Sequence, residues 1–294
     1  MKGSLRIGVI GIPGTWSSEA LADAVAKETG SRFLLDAQGL SLDLGTGQVH
    51  CQGYCLNDFH GLLVKKIGSP YSPDLLNRLE ILKYLEGQGV AVFNRPSAMM
   101  SLLNRLSCTI VLQLEGIPMP PTTVTESFAE AHEAVTHYGR AILKPLYTSK
   151  AEGMEWVEKG EKACEILERY QSRHGIFYIQ KAVEFGDCDL GVLFLGGNYL
   201  TTYTRICGGP EGKRGYQGYN PAPEIIELAQ KAQRPFGLDF TCVDIALTPE
   251  GPFVFEVSAF GGFKGALKAN GLDVAGRFAR WVVDRLKQEK RLWN

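Results

Sequence analysis

TCVDIALTPEGPFVFEVS, Thr241 to Ser258, reads as two apolar strands folded back on each other across Pro249, Glu250 and Gly251. Alternation along the second strand puts Val254, Glu256 and Ser258 on one face and Phe255 and Val257 on the other. A turn centred on Glu250 then brings Asp244 directly opposite Glu256. A lone carboxylate on a half-buried strand is costly unless something positive meets it. Two opposed carboxylates are worse, and one is pushed toward its protonated form unless a cation sits between them. Magnesium is typically held by one or two carboxylates together with substrate phosphates, so the hairpin has a metal-site reading. The competing reading is a shifted register, with Glu256 in a salt bridge to a lysine or arginine.

Upstream, strand and helix alternate. Leu5 to Ile10 reads as a buried strand, followed by glycines and a helix that starts near Ser17 or Ser18. GLLVKKIG (Gly61 to Gly68), the helix SPDLLNRLEILKYLEGQG and the strand VAVFN continue the pattern to Asn94, which predicts a parallel sheet with helical covers. The first glycines fall at 8, 11 and 14 and not as GxGxxG, so a dinucleotide-binding oxidoreductase is a weaker reading than a tight turn opening an α/β layer. After Arg95, PSAMMSLLNRLSCTIVLQLEG reads as one helix closed by Gly116, and IPMPPTTV as an extended link. A helix capped by Ser127, the strand RAILKPLY, a charged helix EKACEILERYQSRHG and three further strands follow, the last two turning at Gly196 to Asn198. A glycine- and charge-rich loop, the helix PEIIELAQKAQRPFG, the opening hairpin and a helix from Asp273 to about Lys290 complete the chain.

The 294 residues are 45% hydrophobic and 21% charged, with a net charge of −1, which fits an ordinary globular protein without a global field for nucleic acid. Cys51, Cys55, Cys108, Cys164, Cys188, Cys207 and Cys242 lack paired CxxC spacing and read as buried thiols of a reducing compartment. Cys51 and Cys55 beside His50 and His60 match no common zinc spacing. The N-terminal apolar run is too short for a signal segment, and no other run reaches spanning length. The expectation is a soluble cytoplasmic protein with neither membrane nor nucleic-acid partners.

Several segments in order resemble the ATP-grasp superfamily, most closely its RimK-like branch of carboxylate-amine ligases. They are NRPSAMMSLLNRLSCTIVLQLEGIPMPPT, ILKPLYTSKAEGM, YIQKAVEFGDCDLGVLFLGG, the arginine of TYTRICGG, GLDFTCVDIALTPEGPFVFEVSAFGG and NGLDVAGRFARWVV, spanning about residues 95 to 285. The N-terminal wording is also similar to the ATP-grasp proteins of the GAK gene system. The resemblance implies an α/β chain with the ATP-grasp fold, two α+β subdomains gripping ATP, preceded by a small parallel-sheet α/β domain. The expected division is residues 1–95 for the N-terminal domain and 96–294 for the ATP-grasp domain, with 122–177 as its lid. It also implies ATP and Mg²⁺ as cofactors, and a small-molecule carboxylate and amine as substrates. A peptide or protein acceptor and a homo-oligomer are both compatible with it.

By position, the resemblance places Lys144 near the nucleotide phosphates, Arg105 on a cofactor-binding lysine, Gln180, Lys181 and Ala182 at the hinge that holds adenine, and Asp189 near ribose or phosphate. Asp244, Glu256 and Ser258 fall on the magnesium ligands, Arg205 on the group that stabilises an acyl phosphate, and Lys213 and Arg214 beside the γ-phosphate or substrate. Each has a plainer reading: a snorkelling lysine at 144, a surface aspartate at 189, a surface arginine at 205, and a solvated loop at 213 and 214. The chain also departs from the pattern. Ser258 replaces an asparagine, Lys181 an acid, Gly191 an arginine and Arg105 a lysine, while Phe260, Gly261 and Lys264 replace a serine, a proline and an acid. The implied activity is ADP-forming ligation through an acyl phosphate. The alternative is a nucleotide-binding regulatory or scaffold protein with a degenerate site.

Overall fold

The computed structural model describes residues 5–292 except 70, 149–150, 187 and 207–214, and the side chains of 289–292 are also left out of the description. Ile7–Ile10 and Gly61–Val64 are buried at every position, as a parallel sheet covered on both faces requires. They pair with each other and are flanked by Leu34–Leu35 and Ala91–Phe93, giving a four-stranded parallel sheet as the alternation predicts. The helices Trp16–Thr29 and Leu75–Gly87 connect it. Between them, Leu40–Asp43, Gln48–Cys51 and Tyr54–Cys55 form a small antiparallel sheet that the sequence pattern did not suggest.

The helix expected over 96–116 is two helices, Pro96–Leu103 and Arg105–Leu114. Asn104 is the reason. Its backbone is extended, at φ −95° and ψ 117°, and its side-chain oxygen accepts the Leu106 N–H at 2.9 Å, capping the second helix. The extended link predicted at 117–124 ends as the strand Thr122–Thr125, which joins Arg140–Leu143, Glu155–Glu158 and Phe177–Lys181 in an antiparallel sheet. This sheet and the helices Phe128–Tyr138 and Ala163–His174 enclose a core of their own, with Leu143, Leu167, Tyr170, Phe177 and Ile179 at its centre.

The remaining sheet is antiparallel and five-stranded, in the order Gly215–Gly218, Asn198–Ile206, Cys188–Leu195, Phe240–Thr248, Gly251–Ser258. Asp244 is paired with Glu256, as the turn predicts, yet Ile245 is paired with Val254. Phe255 is therefore a bulge residue, and Val254 joins Ile245 and Val257 on the buried face. The alternation that put Val254 beside Glu256 is overturned by that one extra residue. One core runs from the parallel sheet through to Val192, Val243 and Val257. A second packs Ile7, Val9 and Val25 against Phe240, Phe278 and Val282 of the five-stranded sheet and the last helix, Val274–Leu292. Among the described residues, the N-terminal layer and the five-stranded sheet thus share their interior, and the buried core of the four-stranded antiparallel layer is separate.

Cys51, Cys108 and Cys242 are buried thiols, but Cys55 and Cys188 are half-buried and Cys164 is exposed on a helix, so the expectation of uniform burial fails; Cys207 lies outside the described residues. Among the described residues no helix is long and apolar enough to cross a membrane, and no three His, Cys, Asp or Glu side chains are grouped to hold a metal.

Candidate active site

A cleft of about 340 Å³ opens between the N-terminal layer and the five-stranded sheet. Asp189, Arg205, Asp244, Glu256 and Ser258 line one side, and Ile12, Lys66, Ser69 and Tyr71 line the other. Ile12 and Lys66 follow the carboxyl ends of two parallel strands, the edge at which open α/β sheets take ligands. That rule was the available signal for the second wall, which the motif reading missed.

Arg205 holds the first wall together. Its Nε and Nη2 donate to the two oxygens of Asp189 at 3.0 and 2.7 Å, and Nη2 lies 2.8 Å from Asp244 Oδ2. Burial works against the guanidinium charge, but Asp244 and Asp189 more than offset it and hold the group above its ordinary pKa. Asp244 is raised by burial, with Arg205 pulling the other way. Glu256 opens onto the cleft but is surrounded by protein elsewhere, so burial, followed by the charge of Asp244, raises it as well. Ser258 Oγ accepts the Phe260 N–H at 3.2 Å, which leaves the hydroxyl one lone pair. Two opposed carboxylates and a hydroxyl form a hard-oxygen donor set, and that chemistry fits Mg²⁺. The shifted register does not occur, although Asp244 does meet an arginine.

A smaller hollow shares Tyr71 and Glu256 with the cleft and is lined by Arg105, Thr109, Leu146, Thr148 and Phe255. The break at Asn104 aims Arg105 here, with its backbone N–H on Leu146 O at 3.0 Å and its Nε on Pro145 O at 3.2 Å. Lys144 Nζ donates to Gln180 Oε1 and lies 5.5 Å from the Phe255 ring. Burial, reinforced by Arg105, lowers its pKa to about 7 despite the pull of Glu256. Gln180 is buried and donates to Thr122 Oγ1 at 3.1 Å, so its side chain orients Lys144. The Lys181 and Ala182 N–H groups donate to Pro121 O and Arg140 O at 2.8 and 2.9 Å, so both amides are already engaged. Lys213 and Arg214 lie outside the described residues.

Gly191, where the resemblance expects an arginine, has a structural counterpart. A Cβ there would stand 2.7 Å from the Tyr203 ring, and one at Gly265 would stand 2.4 Å from it. Tyr203 fills the space between these glycines and is 2% exposed. Beside it, Cys242 donates its thiol hydrogen to Asp244 Oδ1 at 3.4 Å.

A model of the RimK-like ATP-grasp domain matches residues 103–282. The chain belongs to that family. This RimK-like chain is 27% identical over 264 residues to the tetrahydromethanopterin:alpha-L-glutamate ligase of Methanosarcina acetivorans, covering 82% of each. It is 23% identical over 293 residues to the ribosomal protein bS6–L-glutamate ligase of Salmonella newport, covering 95% of each. In fold it is similar to the ATP-grasp ligase PsnB, solved with a minimal precursor, Mg and ADP, at a TM-score of 0.73, 18% identity and coverage of 97% of this chain and 99% of that one. The RimK-like chain thus has the ATP-grasp fold, with the cleft between the N-terminal layer and the five-stranded sheet.

Proposed function

We propose that the protein is an ATP- and Mg²⁺-dependent ligase joining a carboxylate to an amine with release of ADP, and that the cleft around Asp244 and Glu256 is its active site. The observation that carries this reading is the direct pairing of Asp244 with Glu256 on adjacent strands facing the cleft. Asp244, Glu256 and Ser258 would hold Mg²⁺, which supplies charge neutralisation and orientation of the phosphate oxygens. Lys144, oriented by Gln180, and Arg105 would contact phosphate on the lid side; Lys181, Ala182 and Asp189 would complete the nucleotide side, and Lys213, outside the described residues, would join them. Phe255 gives that region its apolar surface.

A substrate carboxylate oxygen attacks the γ-phosphorus and ADP leaves. The amine nitrogen then attacks the acyl carbon, phosphate departs, and the nitrogen loses a proton to leave an amide. Arg205 and Arg214 are the groups that would neutralise the developing charge on the acyl phosphate. The relatives named above suggest L-glutamate as the first amine to test, with peptide acceptors next. We keep the division at 95 and 122 as part of this proposal and extend the lid past 177 to Lys181, because the strand Phe177–Lys181 belongs to its sheet. The scaffold alternative is disfavoured by the family to which the chain belongs.

The test is ADP release from Mg-ATP in the presence of a panel of amino acids and short peptides. Amine-dependent ADP release with a new amide in the product is the expected result. Tight nucleotide binding with no ADP from any member would overturn the ligase reading.

A further inference from the structure

Lys65, the residue before cleft-lining Lys66, is buried behind the cleft lining. It is 2% exposed, and its Nζ donates to the carbonyl oxygens of Phe260 and Gly261 at 2.6 and 3.4 Å. The ammonium also lies 3.8 Å from the Phe263 ring and 5.7 Å from that of Phe240. Burying an ammonium on neutral partners is costly, and a methionine would occupy the same volume without that cost. The cost is linked to what the donors hold.

They hold the turn that leaves the metal-candidate strand. Phe260 and Gly261 line the cleft directly, next to Ser258. The turn is fixed from three further directions. Ser258 Oγ accepts the Phe260 N–H, Asn94 Nδ2 donates to Ala259 O at 3.4 Å, and a Cβ on Gly261 would stand 3.3 Å from Cys242 Cβ. Lys65 and Asn94 both come from the N-terminal layer and Cys242 from the strand that carries Asp244. The turn therefore sets the spacing between the two walls of the cleft.

We infer that Lys65 is a positioning residue for the reaction: it clamps the Phe260–Gly261 turn to the N-terminal layer and so sets the substrate wall of the cleft, without touching substrate or nucleotide. This rests on the ligase reading for what the wall receives, while the clamp rests on geometry alone. Its position differs from that of Lys144, which packs beside Phe255 on the nucleotide side.

The experiment compares wild type with Lys65→Met and Lys65→Arg by three measurements. Mg-ADP titration should give affinities within about twofold of wild type, because the nucleotide side keeps its cations, and this also reports folding. Hydrogen exchange over residues 259–262 should rise in Lys65→Met and lie nearer wild type in Lys65→Arg. With any amine that supports ADP release, the amine KM should rise about fivefold or more in Lys65→Met with kcat within about twofold, and Lys65→Arg should recover part of the loss.

Unchanged exchange at the turn overturns the clamp, and so does an unchanged amine KM. Loss of Mg-ADP affinity in parallel with the exchange change overturns the positioning role in favour of general destabilisation. If wild type releases no ADP with any amine, the ligase reading fails instead. In that case local exchange together with retained Mg-ADP affinity decides the clamp.

Discussion

Arg205 reaches Asp244 at 2.8 Å while it grips Asp189 through two nitrogens. One guanidinium thus compensates two carboxylates on the wall that also presents Glu256, and its side chain is 13% exposed. Removing one partner of such a buried set leaves the others uncompensated, at a cost of about 3–5 kcal/mol. Arg205→Ala should lose stability of that order in urea denaturation. Millimolar Mg²⁺ should restore more of it in the variant than it adds to wild type, because the freed carboxylates can then bind the ion. Equal stability of variant and wild type would show that the ion set contributes nothing net.

The metal assignment is tested on the paired acids themselves. Glu256→Gln keeps the shape and removes a charge, and Asp244→Asn does the same on the facing strand. Each should weaken Mg-ADP binding about tenfold or more and flatten its dependence on magnesium concentration, read by calorimetry. If affinity and magnesium dependence both persist in Glu256→Gln, the metal lies elsewhere.

Lys144 makes nucleotide binding pH-dependent. Burial, with help from Arg105, lowers its pKa to about 7 in the free protein, and phosphate would favour the charged form. A proton is then taken up on binding above that pH, and affinity falls by up to about tenfold per pH unit above 7 while staying flat just below it. Calorimetry in buffers of different ionisation enthalpy should detect the uptake at pH 8, and Lys144→Met should abolish it. The stability effect has the opposite bearing. The folded pKa is depressed, so the cost of burying the charge is fully present below pH 7 and is relieved as pH rises toward the ordinary lysine value of 10.5. Lys144→Met should therefore stabilise the free protein most at and below pH 7.

Gly191 is a packing requirement. Its missing Cβ admits the Tyr203 ring, so Gly191→Ala should destabilise by about 1–3 kcal/mol in urea denaturation. Tyr203→Leu in the same chain should recover much of that loss. Purely additive effects would mean that the two sites do not share the space.

Legibility followed the range of the interaction. The pairing of Asp244 with Glu256 is local, fixed by a short turn, and could be read directly from Thr241 to Ser258. The bulge at Phe255 could not, because alternation alone does not reveal an unpaired residue. Nor could the break at Asn104, whose capping oxygen and whose Nδ2 bond to Tyr147 compete with helix continuation only once the lid is in place. Arg205 is expected at the site from the sequence, but its grip on Asp189, a cross-strand partner 16 positions away, is not legible there. The clamp from Lys65 spans 195 positions, and only its place at a parallel strand's carboxyl end gave a hint.

The separate interior of the four-stranded layer bears on how the protein grips a ligand. Leu143, Leu167, Tyr170 and Phe177 stay packed with one another whatever the layer's angle to the body, so swinging it need not expose a core. A change of angle would instead break bonds at its edge, such as Arg105 N–H to Leu146 O and Thr109 Oγ1 to Tyr178 Oη, so a closed angle would have to be stabilised by what it closes on. Lys144 and Arg105, the cations at that boundary, would then read a bound phosphate as the signal to shut, and limited proteolysis of the layer's edges should slow when Mg-ADP is added.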